Sequence, residues 1–479
     1  MGIIDLLRAS VKMLSAIFDH FPSRDEAVRL ELNNLRLPIF TPGAKRPWIL
    51  LLMLLTGPWL AVAQQTESFE LPPTSYSSTP PQDAVTALQS QLAHATPVTL
   101  HTDREWVQLF LRELHVPVES QVLVFSKTSF QRQRITPDHP RAIYFTDDCY
   151  IGWVPGGLME VVAIDPRLGP VFYSVDPSTF RPDDPNGIKR DGECLSCHGG
   201  IFVRDIPGLF VRSVFPDRDG EPLLALGTKL VDFRTPISNR WGGWYVTGQH
   251  GTALHEGNVI AREEGGRLVA DFHQGANISD LSKFFDTRPY LANTSDIVAL
   301  LVLEHQTAMQ NSITRAGIEC RRMLDYQRNL QRELKETVTD DLVYDSVKSV
   351  FENTAEEMVK DLLFLGEAEL PAGVAGSPGF QKVFLASARR TPQGESLKDF
   401  SLNGHIFRNR CSYLIYSDAF LQLPDKLKQR IYSRLARILT GGGGAEYAAI
   451  DMAERRRIVA ILRATHPEMA AVLGKAAVH

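Results

Sequence analysis

The sequence predicts an α+β protein, with a β-rich antiparallel N-terminal and central region followed by a mainly α-helical C-terminal region. Three observations predict it. From Gln121 onward, short β-rich runs alternate with Pro, Gly and Asp punctuation, as in QVLVFSK, RAIYFTD, CYIGWV, MEVVAID and PVFYSVD. From Ser295 the apolar period becomes helical through SDIVALLVLEHQTAMQNSITRAGIECRRMLDYQRNLQREL, interrupted only by Gly317. The chain has 479 residues, 44% of them hydrophobic, which is ample to bury a core.

Residues 1–63 are set apart from this fold as an upstream extension and a signal peptide. Residues 45–64 read KRPWILLLMLLTGPWLAVAQ: a basic pair, an apolar run at 48–63, and Ala61-Val62-Ala63 in the small-x-small pattern of a signal-peptidase site. The run is shorter than the ~20 residues a spanning helix needs, and Gly57 and Pro58 interrupt it. The expectation is therefore export to the periplasm with no stable transmembrane span after cleavage, or a membrane anchor if the signal stays uncleaved. The 44 residues before it have no evident role in front of a signal, which fits a true translation start near Val28 or Leu37.

Residues 64–84, including TESFELPPTSYSSTPPQDA, read as a flexible linker because they are rich in Ser, Thr and Pro and carry no apolar period. Residues 85–290 form the expected β-rich domain. It opens with helical spacings at Leu88 and Leu92 and at Trp106, Leu109, Phe110, Leu111 and Leu114. Its later strands are FVRDI, FVRSVF, LLALGTK, WGGWYVTG and RLVADF. Residues 291–479 form the helical region that packs on it. Its first helix is capped by Thr294 or Ser295, helix continues to Asp361, and PAGVAGSPG marks a loop. Two further helices, at about 424–440 and 449–473, are separated by Gly441 to Gly444.

The formal net charge is −5, and short basic runs such as Ala388-Arg389-Arg390 and Arg455-Arg456-Arg457 lie among acidic residues. This balance argues for solvated helix faces and no nucleic-acid partner.

The chemistry-bearing motif is DGECLSCHGGIF at 191–202, which contains Cys194-x-x-Cys197-His198. With five Cys and thirteen His in the chain, chance placement gives roughly 0.001 occurrences of such a pattern. Two thiols three positions apart can each add to one vinyl group of a porphyrin, and the adjacent imidazole then binds the iron. Export agrees with this reading. Zinc usually takes about four N/S ligands, and no second CxxC or HxxxH pair accompanies the motif. A redox dithiol would more naturally sit at a helix N-terminus without the His. Of the other cysteines, Cys149, Cys320 and Cys411, two can pair in an oxidising compartment or all can stay as buried thiols.

The chain resembles a group of large bacterial c-type cytochrome domain proteins. The resemblance runs from about Ile143 to Leu439 and rests on GWVPGGLMEVVAIDP, ECLSCHGG, RTPISNRWGGWYVTGQHG, LVLEHQTAMQNSITRA and RCSYLIYSDAFLQLP. It implies one covalent haem c at Cys194, Cys197 and His198, and no particular substrate or partner.

A sixth iron ligand would separate an electron carrier from a catalyst. The next Met after His198 is Met309, over a hundred residues on. His305 is the first distal candidate, because its helix face is shared with Val298, Leu301, Val302, Ala308 and Met309. The competing reading is a core histidine bonded to a neighbour. Met309 is a weaker candidate. His250 and His255, in the glycine-rich TGQHGTALHEGN, are the alternatives, with Trp241 and Trp244 nearby as possible walls. At least one of Arg204, Arg212, Arg234 and Arg240 is expected to meet a haem propionate. The expected function is electron transfer with a redox partner protein. The alternative is a peroxidase-like haem oxidoreductase with an open or displaceable sixth site and His250 or His255 as acid/base.

Overall fold

A computed structural model describes residues 67–94, 100–184, 186–265 and 267–476. The upstream extension and the signal stretch at 48–63 lie outside the described residues. The chain is mixed α and β, with its main sheet in the central region and most of its helix in the C-terminal half.

Two capped helices come first. α1 (Ala84–Leu92) starts at Asp83, whose carboxylate accepts from the amides of Val85 and Thr86, and α2 (Asp103–Glu113) starts from a Thr102–Glu105 capping box. The sheet follows: β1 (Val122–Val124), β2 (Arg141–Phe145), β3 (Cys149–Trp153), β4 (Met159–Asp165), β5 (Gly169–Val175) and β6 (Lys189–Arg190). After the motif come a hairpin of β7 (Val211–Val214) and β8 (Thr228–Val231), and then β9 (Trp244–Tyr245). Seven strands join in the order β6-β5-β4-β3-β2-β1-β9, all antiparallel.

Both sheet faces are covered, and the two-residue period of the strands sorts side chains between two apolar clusters. Leu123, Tyr144, Ile151, Met159, Val161 and Tyr173 join α1 and α2 on one face. Val122, Phe145, Tyr150 and Phe172 join the long C-terminal helix on the other. That helix, α3 (Ile297–Glu333), is 37 residues long and is capped by Asp296 rather than by its neighbours Thr294 or Ser295. Every residue of its first three turns, Ile297 to Thr307, is buried. At about 1.5–3 kcal/mol per buried aliphatic side chain, this segment is a main anchor of the fold. α4 (Asp345–Leu362) packs along it.

The segment expected to be a flexible linker is packed instead. Phe69 and Tyr76 are buried in the first cluster, and the Tyr76 hydroxyl donates to the Pro170 carbonyl at 2.8 Å. Two aromatic rings outweigh the polar composition around them, because each buries a large area on meeting a sheet. FVRDI is likewise not a strand. Ile201–Val203 makes a 3-10 turn, and Arg204 and Asp205 take left-handed φ values of 57° and 56°, which ends any extended run. The expected helix at 449–473 divides into Met452–Thr465 and Pro467–Ala476. Pro467 forces His466 out of the helical region, to φ −130° and ψ 99°.

No separate core begins at residue 291. One cluster runs from Val122 to Leu473, and Val374–Ala375 pairs with Gln249–His250. Among the described residues, no helix is long and apolar enough to cross a membrane.

Candidate functional site

The motif folds as one short helical passage. A 3-10 turn over Gly192–Cys194 runs directly into a single α turn, Leu195–His198. The Asp191 carboxylate caps it by accepting from the Glu193 amide at 3.1 Å, and the Asp191 amide donates to the Phe172 carbonyl of β5 at 2.9 Å. Helical winding puts Cys194, Cys197 and His198, spaced i, i+3 and i+4, on one face. Cys197 is exposed and Cys194 half-buried, and both are free thiols. Burial, reinforced by Asp191 and Glu160, pushes the Cys194 thiol up to about 12, so it stays protonated.

His198 is held by a short extended segment. Its Nδ1 lies 2.8 Å from the Gly208 carbonyl, and the Gly208 amide donates back to the His198 carbonyl at 2.8 Å. A carbonyl only accepts, so Nδ1 carries the proton and Nε2 of the neutral ring carries a lone pair. Burial lowers the pKa of the ring, which keeps it neutral. Among the described residues no hydrogen bond engages Nε2. Phe172 and Phe210 flank the imidazole, with ring centroids at 4.9 and 4.8 Å.

Residues 208–211 act as a two-faced wall. Gly208 and Phe210 address His198, whereas Leu209 and Val211 join the cluster around α3. On that second face, Asn311 of α3 accepts from the Leu209 amide at 2.8 Å and donates to the Leu209 carbonyl at 2.6 Å. The C=O and N–H of one trans peptide point in opposite directions, so His198 and Asn311 lie on opposite sides of the Gly208–Leu209 peptide. Gly208 has no room for a side chain, because a Cβ would sit 2.7 Å from Val203 Cβ and 3.0 Å from Asn311 Oδ1.

Around the motif, apolar side chains face solvent. Ile201 is 82% exposed, and Phe202 and Leu230 are also open. Arg212 lies over the Phe202 ring and pairs in register with Leu230, so these residues are neighbours. Beside them is a cavity of about 560 Å³ whose lining includes Phe202, Phe210, Leu230, Arg204, Arg315 and Lys360. Under the motif, Arg141 and Glu160 form an ion pair on the sheet face, and Gly152 leaves space for the guanidinium. The two charges act on Cys194 and His198 with opposite signs.

The expected distal ligands are placed elsewhere. His305 is fully buried, with Nε2 2.9 Å from the Ser412 hydroxyl and its ring stacked on Phe364 at 4.2 Å. Phe233, Phe407 and Tyr413 complete the enclosure, and burial lowers its pKa to about 3. It stands on α3 as a core histidine, and none of its contacts is with His198. The apolar face it shares on the helix is the protein core. Met309 is fully buried in that core too. His250 uses both ring nitrogens, Nδ1 toward the Ala253 carbonyl at 2.6 Å and Nε2 accepting from the Asn277 amide at 2.9 Å. His255 accepts from the Gly257 amide at 3.0 Å and packs against Trp241 and His250. The structure brings none of the three to His198.

Of the four arginines, Arg240 is fully buried in an ion pair with Glu304, and Arg234 pairs with Asp232 and Asp361. Arg204 and Arg234 line the cavity, and Arg212 lies at its edge over Phe202. Trp241 and Trp244 belong to the core, Trp244 donating to the Arg212 carbonyl at 2.7 Å. Cys149, Cys320 and Cys411 are buried free thiols. Gly208, Phe210, Phe172 and Asn311 were not identified from the sequence. Only the glycine and the phenylalanine, ten and twelve residues past His198, carry any local signal.

Among the described residues, no group of three or more His, Cys, Asp or Glu side chains is placed to hold a metal ion. Comparison with protein-family models, with curated proteins and with solved structures finds no match for this chain.

Proposed function

We propose that the chain is a c-type cytochrome that carries one haem, bonded through Cys194 and Cys197 with His198 as an iron ligand, and that it serves electron transfer with a redox partner in the periplasm. The observation that carries this reading is the common face of Cys194, Cys197 and His198, with Nδ1 of His198 held by the Gly208 carbonyl and Nε2 bonded to none of the described residues. The residues suit the group on three counts. The thiols are unpaired, the imidazole is kept neutral by burial, and apolar side chains beside the motif are open to a flat apolar partner.

A haem bound there supplies one-electron chemistry. The protein's contribution is to fix the imidazole tautomer, to flank the ring with Phe172 and Phe210, and to leave the motif at the surface, within reach of a partner protein. Arg204 and Arg212 are the basic residues best placed to meet a propionate, since Arg240 is committed to Glu304.

A second reading is favoured by one specific observation. His305, His250 and His255 all make their contacts elsewhere, which supports an open or weakly filled sixth position and a haem oxidoreductase. The test is export of the full chain in a host that attaches haem c. The expected result is haem that stays with the denatured polypeptide and is lost in the Cys194→Ala/Cys197→Ala variant. A colourless wild-type chain would overturn the reading. Ready binding of carbon monoxide to the reduced protein would select the second reading over the first.

A further inference from the structure

Asn311 lies on α3, outside the motif, and its carboxamide is spent entirely on Leu209, accepting from the amide at 2.8 Å and donating to the carbonyl at 2.6 Å. The Leu209 amide and the Gly208 carbonyl belong to one peptide unit. An acceptor on the N–H side of a peptide polarises the whole unit and makes its oxygen a stronger acceptor. That oxygen is the one that receives Nδ1–H of His198 at 2.8 Å. A chain of two hydrogen bonds therefore runs from Asn311 through a single peptide to the imidazole.

We propose that Asn311 is a positioning residue that fixes the tautomer and basicity of His198 through the Gly208–Leu209 peptide. The proposal rests on the haem reading for its consequence at iron, but the relay itself exists in the chain alone. Its orientation follows from the alternation of residues 208–211, and Gly208 admits no side chain that would disturb it. Strengthening the Nδ1–H bond gives the ring more anionic character and makes it a better donor to an oxidised metal, as carboxylate and carbonyl partners do for metal-bound histidines generally.

Two variants separate this role from a merely structural one. Asn311→Leu removes the acceptor, whereas Asn311→Asp keeps an acceptor for the Leu209 amide but replaces the donor to the Leu209 carbonyl with a charged carboxylate oxygen. The first measurement uses the full chain without haem, labelled with ¹⁵N at histidine, and reads the His198 tautomer by NMR. Asn311→Leu is expected to lower the ratio of Nδ1–H to Nε2–H forms severalfold, and Asn311→Asp to leave it the same or higher. The second uses the haem-loaded protein, where the midpoint potential should rise in Asn311→Leu and not in Asn311→Asp.

Equal effects of the two variants, or no change in either, would overturn the relay. Should the wild-type chain take up no haem, the proposed function fails, while the tautomer measurement still decides the relay. Haem attachment with an unmoved tautomer and potential would sink the relay alone.

Discussion

His198 and His305 are both shielded from solvent by aromatic rings, and their surroundings differ in kind. His198 has one ring nitrogen tied to a backbone carbonyl, two phenylalanine rings against it, and its other nitrogen without a partner among the described residues. His305 has Nε2 tied to Ser412 and four aromatic rings around it. Both are kept neutral by burial, so charge state does not distinguish them. The difference lies in what each ring can still do. One keeps a lone pair beside two thiols, and the other has become part of the packing.

The strongest way to break the comparison is Gly208→Val. Its side chain would drive into Val203 and Asn311, and overpacking of this kind costs about 3 kcal/mol or shifts the backbone. Denaturant unfolding should show the loss, and the Nδ1–H signal of His198 should weaken with it. His305→Leu comes next. It takes the imidazole from the Ser412 hydroxyl, which keeps the Leu414 amide as a donor at 3.3 Å, a cost of about 1–3 kcal/mol, yet under the proposed haem reading the optical spectrum of the loaded protein should not change. A shift to a five-coordinate spectrum would restore His305 as a ligand.

Acid gives a smaller and more distributed effect. Burial holds His255 and His305 at about 3 against an ordinary 6.5, so each is neutral in the fold but takes up a proton when unfolded. Folded-state pKa values below the unfolded ones mean stability is intact above pH 6.5 and falls as pH drops from there toward 3. Unfolding free energies measured across that window should decline, and less so in the His305→Leu variant. The smallest effect belongs to Ile201→Ser beside the motif. At 82% exposure it should change stability by no more than about 0.5 kcal/mol, and a large loss would mean that the apolar surface there is covered.

The two histidines also show what local sequence can carry. The motif is five consecutive residues, and its helical face follows from spacing alone. The helical period also placed His305 on an apolar stripe, and the ring is indeed buried, but periodicity cannot say what that stripe is buried against. The grip on His198 was illegible for a related reason. Leu209 and Asn311 are 102 residues apart, and nothing near either predicts the other. Phe69 and Tyr76 were hidden by their neighbours. Composition averaged over a Ser, Thr and Pro-rich stretch outweighed two rings that tie it to the sheet. Strand and helix classes were readable in the central sheet and the long helix because those patterns extend over many residues. Arg204 and Asp205 broke the pattern in FVRDI through backbone angles that its side chains do not announce.

The wall at 208–211 sets a rule for how the chain can change in length. Residues 199–207 hold the 3-10 turn at Ile201–Val203 and bury Val203 and Ile206, so the approach to Gly208 is itself packed. Past Gly208 the alternation is strict, with Phe210 toward the imidazole and Leu209 and Val211 toward the long helix. One residue inserted between Gly208 and β7 would swap the two sides, presenting an apolar side chain to the motif and a ring to the wrong core. Past this single glycine, only even steps in length preserve parity.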